Sequence, residues 1–274
     1  MTEGGGASHV TSLDAVTTRV RADNPSPMTL TGTNTYLVGA PGGGDLMVID
    51  PGPVLAAHRW AIEQAAMERG GRISVVLITH HHPDHADAVG WAGDWQVDAY
   101  AFAPDRIAGT RRLANADSVP VDGLDVVAHH QPGHTADHLC LEIPHTGVVL
   151  SGDHVLGEGT TVIAWPDGDL GQYLDSLRAL RALRPTALYP GHGEVIGDPA
   201  AHIDALLAHR AQRTEQILAA LAAGRETVDQ IVMDVYPDLD STLREAAARS
   251  VNAHLADLQR RDAVTCTEGC WRGP

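Results

Sequence analysis

Short apolar runs, each closed by a turn signal, dominate the chain up to about residue 190. T-Y-L-V at 35–38 and L-M-V-I-D at 46–50 flank the turn A-P-G-G-G-D, and short β-prone runs fill the stretch from Val16 to Asp50. The run S-V-V-L-I-T at 74–79 is continuous rather than alternating and β-branched, which predicts a strand buried on both faces. Further strands are predicted at 97–102, 124–129, 139–143, 147–151 and 186–190. Helical spacing takes over where Pro53 can open a helix ending near Gly70, and again at 170–183, where Leu170, Tyr173, Leu174, Leu177 and Leu180 share a face. Strands with helices between them predict a layered α/β fold with helices outside.

From residue 198 the pattern turns helical. Asp198 and Pro199 suit the first positions of a helix running to Ala223, with Gly224 as its stop. Thr227 and Gln230 have the spacing of a capping box. A third helix from Ser241 places Leu243, Ala247, Val251, Leu255 and Leu258 on one face, and a hairpin turning at Glu268-Gly269 follows. Three helices and a hairpin predict a winged-helix-like appendage. The expected domains are residues 10–198 and 199–274, with residues 1–8 a loose, Gly-rich terminus.

Composition changes this picture in two ways. The chain has 274 residues and a formal charge of −16, and all nineteen basic residues are Arg. A polyanionic partner would therefore need a local reversal of charge. Three cysteines (Cys140, Cys266 and Cys270) are too few for a disulfide framework. The first residues show no basic-then-apolar leader and no run is long enough to span a membrane, so a reducing cytoplasm is the expected location.

The chemistry concentrates in T-H-H-H-P-D-H at 79–85. Side chains two apart on an extended segment point the same way, so His80 and His82 can reach one ion while His81 points elsewhere. Pro83 keeps His82 extended and turns the chain, bringing Asp84 and His85 in from another direction, towards a second ion. Imidazole with carboxylate is a donor set suited to zinc. Three more ligand types follow β-runs on glycine-bearing turns: His134 in Q-P-G-H-T, Asp153 in L-S-G-D-H and His192 in L-Y-P-G-H-G.

These motifs, in this order and over nearly the whole chain, resemble the metallo-β-lactamase-fold hydrolases. The resemblance implies a four-layer αββα catalytic domain and two zinc ions per chain. The first would be held by His80, His82 and His134, the second by Asp84, His85 and His192, with Asp153 bridging and Asp50, in M-V-I-D-P-G, as a supporting acid. A water between the ions would become the hydroxide nucleophile, with Asp84 orienting it or accepting its proton. His82 stands where redox di-iron relatives carry Glu, which favours zinc hydrolysis.

The stretches T-G-T-N-T-Y-L-V-G at 31–39, P-G-H-T-A-D-H at 132–138, G-D-H-V-L-G-E-G-T-T at 152–161 and A-H-R at 208–210 look most like the β-lactamase-like protein 2 group. That similarity implies hydrolysis of single-stranded RNA. An RNA site would need a local cluster such as Arg210 and Arg213 with Arg249, residues that read equally as solvated helix surface. A glyoxalase-II-like thioester hydrolase and a β-lactam hydrolase are the alternatives; a non-catalytic zinc-stabilised nucleic-acid-binding module is another. The expected substrate is thus a small molecule or single-stranded RNA, without a membrane or an obligate protein partner. His138 and His154 are candidates to support the site or orient substrate. Trp165 could wall the pocket, and Cys140, in an alternating strand, reads as a small core residue.

Overall fold

A computed structural model describes residues 9–273, so the expected loose terminus at 1–8 lies outside the described residues. The chain folds as two compact units. The first comprises the residues up to His130, Asp137–Gly159 and Pro185–Asp198; the second comprises Gln131–Ala136, Thr160–Arg184 and the chain from Pro199. Two inner stretches thus group with the tail.

The first unit holds two sheets. One runs in chain order through β1 (His9–Ser12), β2 (Thr17–Arg21), β3 (Asn34–Val38), β4 (Gly44–Ile49), β5 (Gly71–Leu77), β6 (Asp98–Ala101) and β7 (Arg111–Arg112). The other contains β8 (Ser118–Val121), β9 (Leu124–His130), β10 (Leu139–Ile143), β11 (Val148–Gly152) and β12 (Ala187–Pro190), in the order β12-β11-β10-β9-β8. Pairing is parallel from β4 to β7 and between β11 and β12.

The period-two alternation of strands sorts side chains into two cores. Tyr36, Val38, Met47, Ile49, Val75 and Leu77 face inward, against Val126, Leu139, Leu141 and Leu150 of the second sheet. Leu37, Leu46, Val48, Val76 and Ile78 face outward, onto α1 (Ala56–Glu68), α2 (Pro83–Ala86) and α3 (Trp91–Trp95). Both faces of β5 are therefore covered, as its continuous apolar run predicts. Trp91 packs in the outer core with Trp95 edge-on at 6.1 Å. Cys140 is fully buried, and burial pushes its thiol pKa up.

The second unit holds α4 (Leu170–Leu183), α5 (Pro199–Ala222), α6 (Val228–Val235), α7 (Arg244–Arg260) and the hairpin β13 (Thr265–Thr267) to β14 (Cys270–Arg272). The predicted capping box opens α6, with Thr227 and Gln230 bonding reciprocally. Ile217, Leu221, Ile231, Val251, Leu255, Leu258 and Val264 form its core. Among the described residues no helix is long and apolar enough to cross a membrane.

Two buried histidines make the fold acid-sensitive. Burial lowers His58 to about 4; its ring faces the Thr35 hydroxyl, 2.8 Å away. In the second unit burial, aided by Arg210 and Arg213, lowers His254 to about 3. Both are neutral when folded and titrate near 6.5 when unfolded, so the unfolded chain binds more protons between pH 6.5 and 4. Stability therefore falls as pH drops through that window. His58 alone contributes a loss of about 2 kcal/mol by pH 5. Urea midpoints at pH 7 and pH 5 check this: His58→Gln should flatten the dependence, and an unchanged slope would contradict the assignment.

Candidate metal centre

Four strand ends deliver the site. β4 ends at Ile49 before Asp50, β5 at Leu77 before Thr79–His85, β11 at Gly152 before Asp153, and β12 at Pro190 before His192. The ligand types thus gather at the C-terminal edge of the parallel segments, where open α/β layers place their sites.

T-H-H-H-P-D-H divides by direction, as the sequence predicts. His82 is extended, at φ −62° and ψ 143°, and Pro83 starts α2, which carries Asp84 and His85. His80 Nε2 and His82 Nδ1 lie 3.1 Å apart, with Asp153 Oδ2 at 4.0 Å from His80 Nε2. His81 turns away to Asp137 Oδ1 at 2.9 Å, beside Arg106. The second group is tighter. His192 Nε2 lies 3.1 Å from Asp84 Oδ2 and 3.2 Å from His85 Nε2, while His85 Nε2 lies 3.6 Å from Asp84 Oδ2. Asp153 Oδ1 sits 3.4 Å from both His85 and His192, so Asp153 reaches both groups with different oxygens.

The hydrogen bonds behind these rings fix their tautomers. Asp50 accepts the Thr79 N–H and the Thr79 hydroxyl, each at 2.7 Å, and the His85 Nδ1–H at 2.8 Å. With its proton committed to Asp50, the Thr79 oxygen accepts from His80 Nδ1 at 3.0 Å. His192 Nδ1 faces the Gly32 carbonyl at 3.4 Å, and in the second unit His134 Nδ1 donates to the Val162 carbonyl at 2.8 Å, beside the Thr161 hydroxyl. All four rings therefore keep a proton on Nδ1, which leaves Nε2 as the nitrogen that binds a metal ion once it carries no proton of its own. Nitrogen lone pairs converging at about 3 Å repel one another; a cation between them, or a proton on one, relieves this. The donor set present therefore fits divalent metal ions.

Asp50 sits in the left-handed region at φ 51°, a strained conformation for a residue with a Cβ. Asp50→Asn would replace an oxygen that accepts protons by an amide that donates them, setting donor against donor. It is expected to weaken metal binding at the second group by about 10–100-fold, read by zinc competition with a chromogenic chelator. Unchanged affinity would contradict the role.

Charge favours the same occupants. Burial pushes the Asp84 carboxyl up, but the hydrogen bond to His192 and the charge of His85 outweigh it and bring it to about 2. Burial lowers His192, while the charge of Asp153 and the hydrogen bonds that the ring donates to Asp153 and Asp84 raise it to about 9. In metal-free protein the carboxylates thus hold a proton on the imidazole, and a metal ion has to displace it. Glycines make room for the cluster: a Cβ on Gly191 would stand 2.6 Å from both Asp153 Oδ1 and His85 Cε1.

The remaining candidates take definite places. His138 is fully buried, and its Nε2 accepts the Asp153 N–H at 3.1 Å, so it holds the Asp153 backbone. His154 is also fully buried, its ring 5.8 Å from that of His138. Trp165 is 44% exposed. The arginine cluster expected to grip RNA is not an exposed cluster. Arg210 is 3% exposed, bonds the Thr161 carbonyl at 2.6 Å and stacks over Tyr173; Arg213 bonds the Val235 carbonyl and stacks over Tyr236; Arg249 pairs with Glu245. Two residues without an assigned role in the sequence stand at the site. The Thr33 hydroxyl reaches Asp84 Oδ2 at 3.5 Å, and Asn34 bonds the His192 turn. Their position in T-G-T-N-T, where polar side chains interrupt an apolar strand pattern, is the signal that marks them.

Comparison with known proteins agrees with this geometry. The profile described as "Metallo-beta-lactamase superfamily" matches residues 28–192, and that of the "Beta-lactamase associated winged helix domain" matches residues 227–271. A beta-lactamase-like protein 2 homolog of Caenorhabditis elegans is 33% identical over 265 residues, covering 93% of this chain and 88% of its own. An atrochrysone carboxyl ACP thioesterase of Paecilomyces divaricatus is 34% identical over 242 residues, covering 84% and 74%. The crystal structure of a metallo-beta-lactamase family protein from Thermus thermophilus superposes with a TM-score of 0.81 at 23% identity, covering 96% of this chain and all of that one.

Proposed function

This chain belongs to the metallo-β-lactamase superfamily, and from that premise we propose that it is a dinuclear zinc hydrolase acting on a thioester. The observation that carries the metal reading is the convergence of two donor groups, His80 with His82 and Asp84 with His85 and His192, joined by Asp153. Our reading adds His134 as the third nitrogen of the first group, because its Nδ1–H is committed to the Val162 carbonyl and its Nε2 lone pair suits a metal. Nitrogen and carboxylate oxygen donors, with no thiolate among them, fit zinc.

The chemistry two such ions supply is acidification of a water and polarisation of the scissile oxygen. The chain's own residues do the rest. Asp84 is the most exposed of the second donor group, and we assign its carboxylate to orient the water by accepting its hydrogen bond. Thr33 holds that oxygen from behind. Asp50 and Thr79 keep His80 and His85 in the productive tautomer, and His138 fixes the Asp153 backbone. No Ser or Cys nucleophile is needed; Cys140 is buried in β10.

Thioester is preferred because the arginines expected to grip RNA are engaged elsewhere. The formal charge is −16, and the three arginines expected to hold RNA are buried or paired within their own unit. The 34% identical relative named as an ACP thioesterase supports the same class. Single-stranded RNA is the second reading, favoured by the winged helix domain and by the relatives named beta-lactamase-like protein 2 homolog. The complete donor set weighs against a non-catalytic module. Zinc-loaded protein offered an N-acetylcysteamine thioester, a single-stranded RNA and a chromogenic lactam should turn over the thioester. Cleavage of RNA with the thioester intact would overturn the preference.

A further inference from the structure

The turn that carries His192 has almost no conformation of its own. It reads P-G-H-G, with glycine on both sides of the ligand and Gly193 at φ 84°. Two glycines leave such a segment more conformational freedom than any other pair. The turn must therefore be fixed by bonds from elsewhere in its unit.

Three of them come from one residue of β3. Asn34 is fully buried. Its backbone N–H donates to the Gly191 carbonyl at 2.7 Å. Its side-chain amide donates both hydrogens, one to the Pro190 carbonyl and one to the Gly193 carbonyl, each at 2.9 Å. Three of the four carbonyls of the turn thus accept from Asn34. The fourth, that of His192, accepts from Gly157 N–H at 2.9 Å. The amide cannot rotate by half a turn, because its oxygen would then face two carbonyl oxygens. Tyr36 adds a hydroxyl to the Pro190 carbonyl at 2.7 Å, and Arg19 reaches the Gly193 carbonyl at 3.4 Å.

We propose that Asn34 is the positioning residue of His192, and that through it Asn34 sets how tightly the second donor group holds its metal ion. This rests on the dinuclear reading above. The effect is selective by construction. Asn34 bonds the turn that bears His192, whereas His80 and His82 stand on the segment after β5, where Thr79 and Asp50 fix the His80 ring. A loosened turn moves one ligand of Asp84, His85 and His192 and leaves His80 and His82 where they are.

The test is titration of metal-free protein with zinc against a chromogenic chelator. Wild type should take two equivalents. Asn34→Asp has the same shape but sets a carboxylate oxygen against the two carbonyls. It should weaken the second equivalent by about 10–100-fold and leave the first within about twofold. His192→Ala serves as the reference for a damaged second group. Asn34→Ser, which keeps a hydroxyl donor and is gentler on folding, should fall between, and it decides the matter if Asn34→Asp fails to fold by circular dichroism. Two wild-type equivalents with unchanged affinities in the variants would overturn the Asn34 assignment alone, as would equal weakening of both equivalents in folded protein. A single wild-type equivalent would overturn the dinuclear reading and this inference together.

Discussion

Asp84→Ala is expected to lower kcat about a thousandfold while leaving the fold intact. Asp84 does two things that no neighbour duplicates. Its Oδ2 closes the second donor group, 3.1 Å from His192 Nε2 and 3.6 Å from His85 Nε2. Its side chain is also 27% exposed where those of His85 and His192 are at most 1% exposed, so it is the carboxylate within reach of an attacking water. With its carboxyl near 2 it is ionised at every working pH and can align a water by accepting its hydrogen bond. Removing it leaves Asp153 against both imidazoles, so the folded state keeps a counter-charge for them. The check is single-substrate kinetics alongside a thermal melt. Full activity in Asp84→Ala would sink the assignment; lost activity with lost melting cooperativity would call for Asp84→Asn, which keeps an oxygen donor and removes the charge.

Gly133→Ala is expected to be the most destabilising small substitution in the second unit, by more than about 4 kcal/mol. Gly133 sits at φ 137°, a region that residues with a Cβ essentially do not occupy. An added Cβ would stand 2.3 Å from Tyr173 Cα and 2.4 Å from Tyr173 N, both backbone atoms of α4. A flexible side chain could give way; a helix backbone cannot without moving the turn. That turn also binds the start of α4, since the Gly133 carbonyl accepts the Asp169 N–H at 2.9 Å and Asp169 caps the helix through Gln172. His134 is the next residue, so a displaced turn would also carry it off. A urea midpoint, or soluble yield if the variant does not fold, reads the effect. A change below about 0.5 kcal/mol would contradict the close approach.

What the sequence revealed was governed by local geometry. The directions of His80, His81 and His82 follow from side-chain alternation and from Pro83, and the structure reproduces them. The continuous run at 74–79 marked β5 because a strand covered on both faces has no polar face to show. What was missed depends on partners distant in the chain. Asn34 lies more than a hundred and fifty residues from the carbonyls it holds, so the polar interruption in T-G-T-N-T marks the residue without naming its partners. β1 is exposed along its whole length and α3 has five residues, so neither carries a burial period to read.

Arg210 is a different case. It shares a helix face with Ile203, Leu206 and Ile217, all buried, at spacings of three, four and seven. That spacing placed it inside, and its charge alone suggested a solvated surface. His138 is a related case: proximity in sequence to His134 drew attention to it, while the bond it makes to the Asp153 backbone joins the residue before β10 to the residue after β11.

Stripping the protein with a picolinate chelator and restoring zinc tests the central claim most directly, with metal content and hydrolytic turnover measured on the same sample. Two zinc ions per chain are expected before stripping, with loss of turnover on their removal and recovery of both on adding zinc back. Undiminished turnover in protein shown to contain no metal would contradict the dinuclear mechanism.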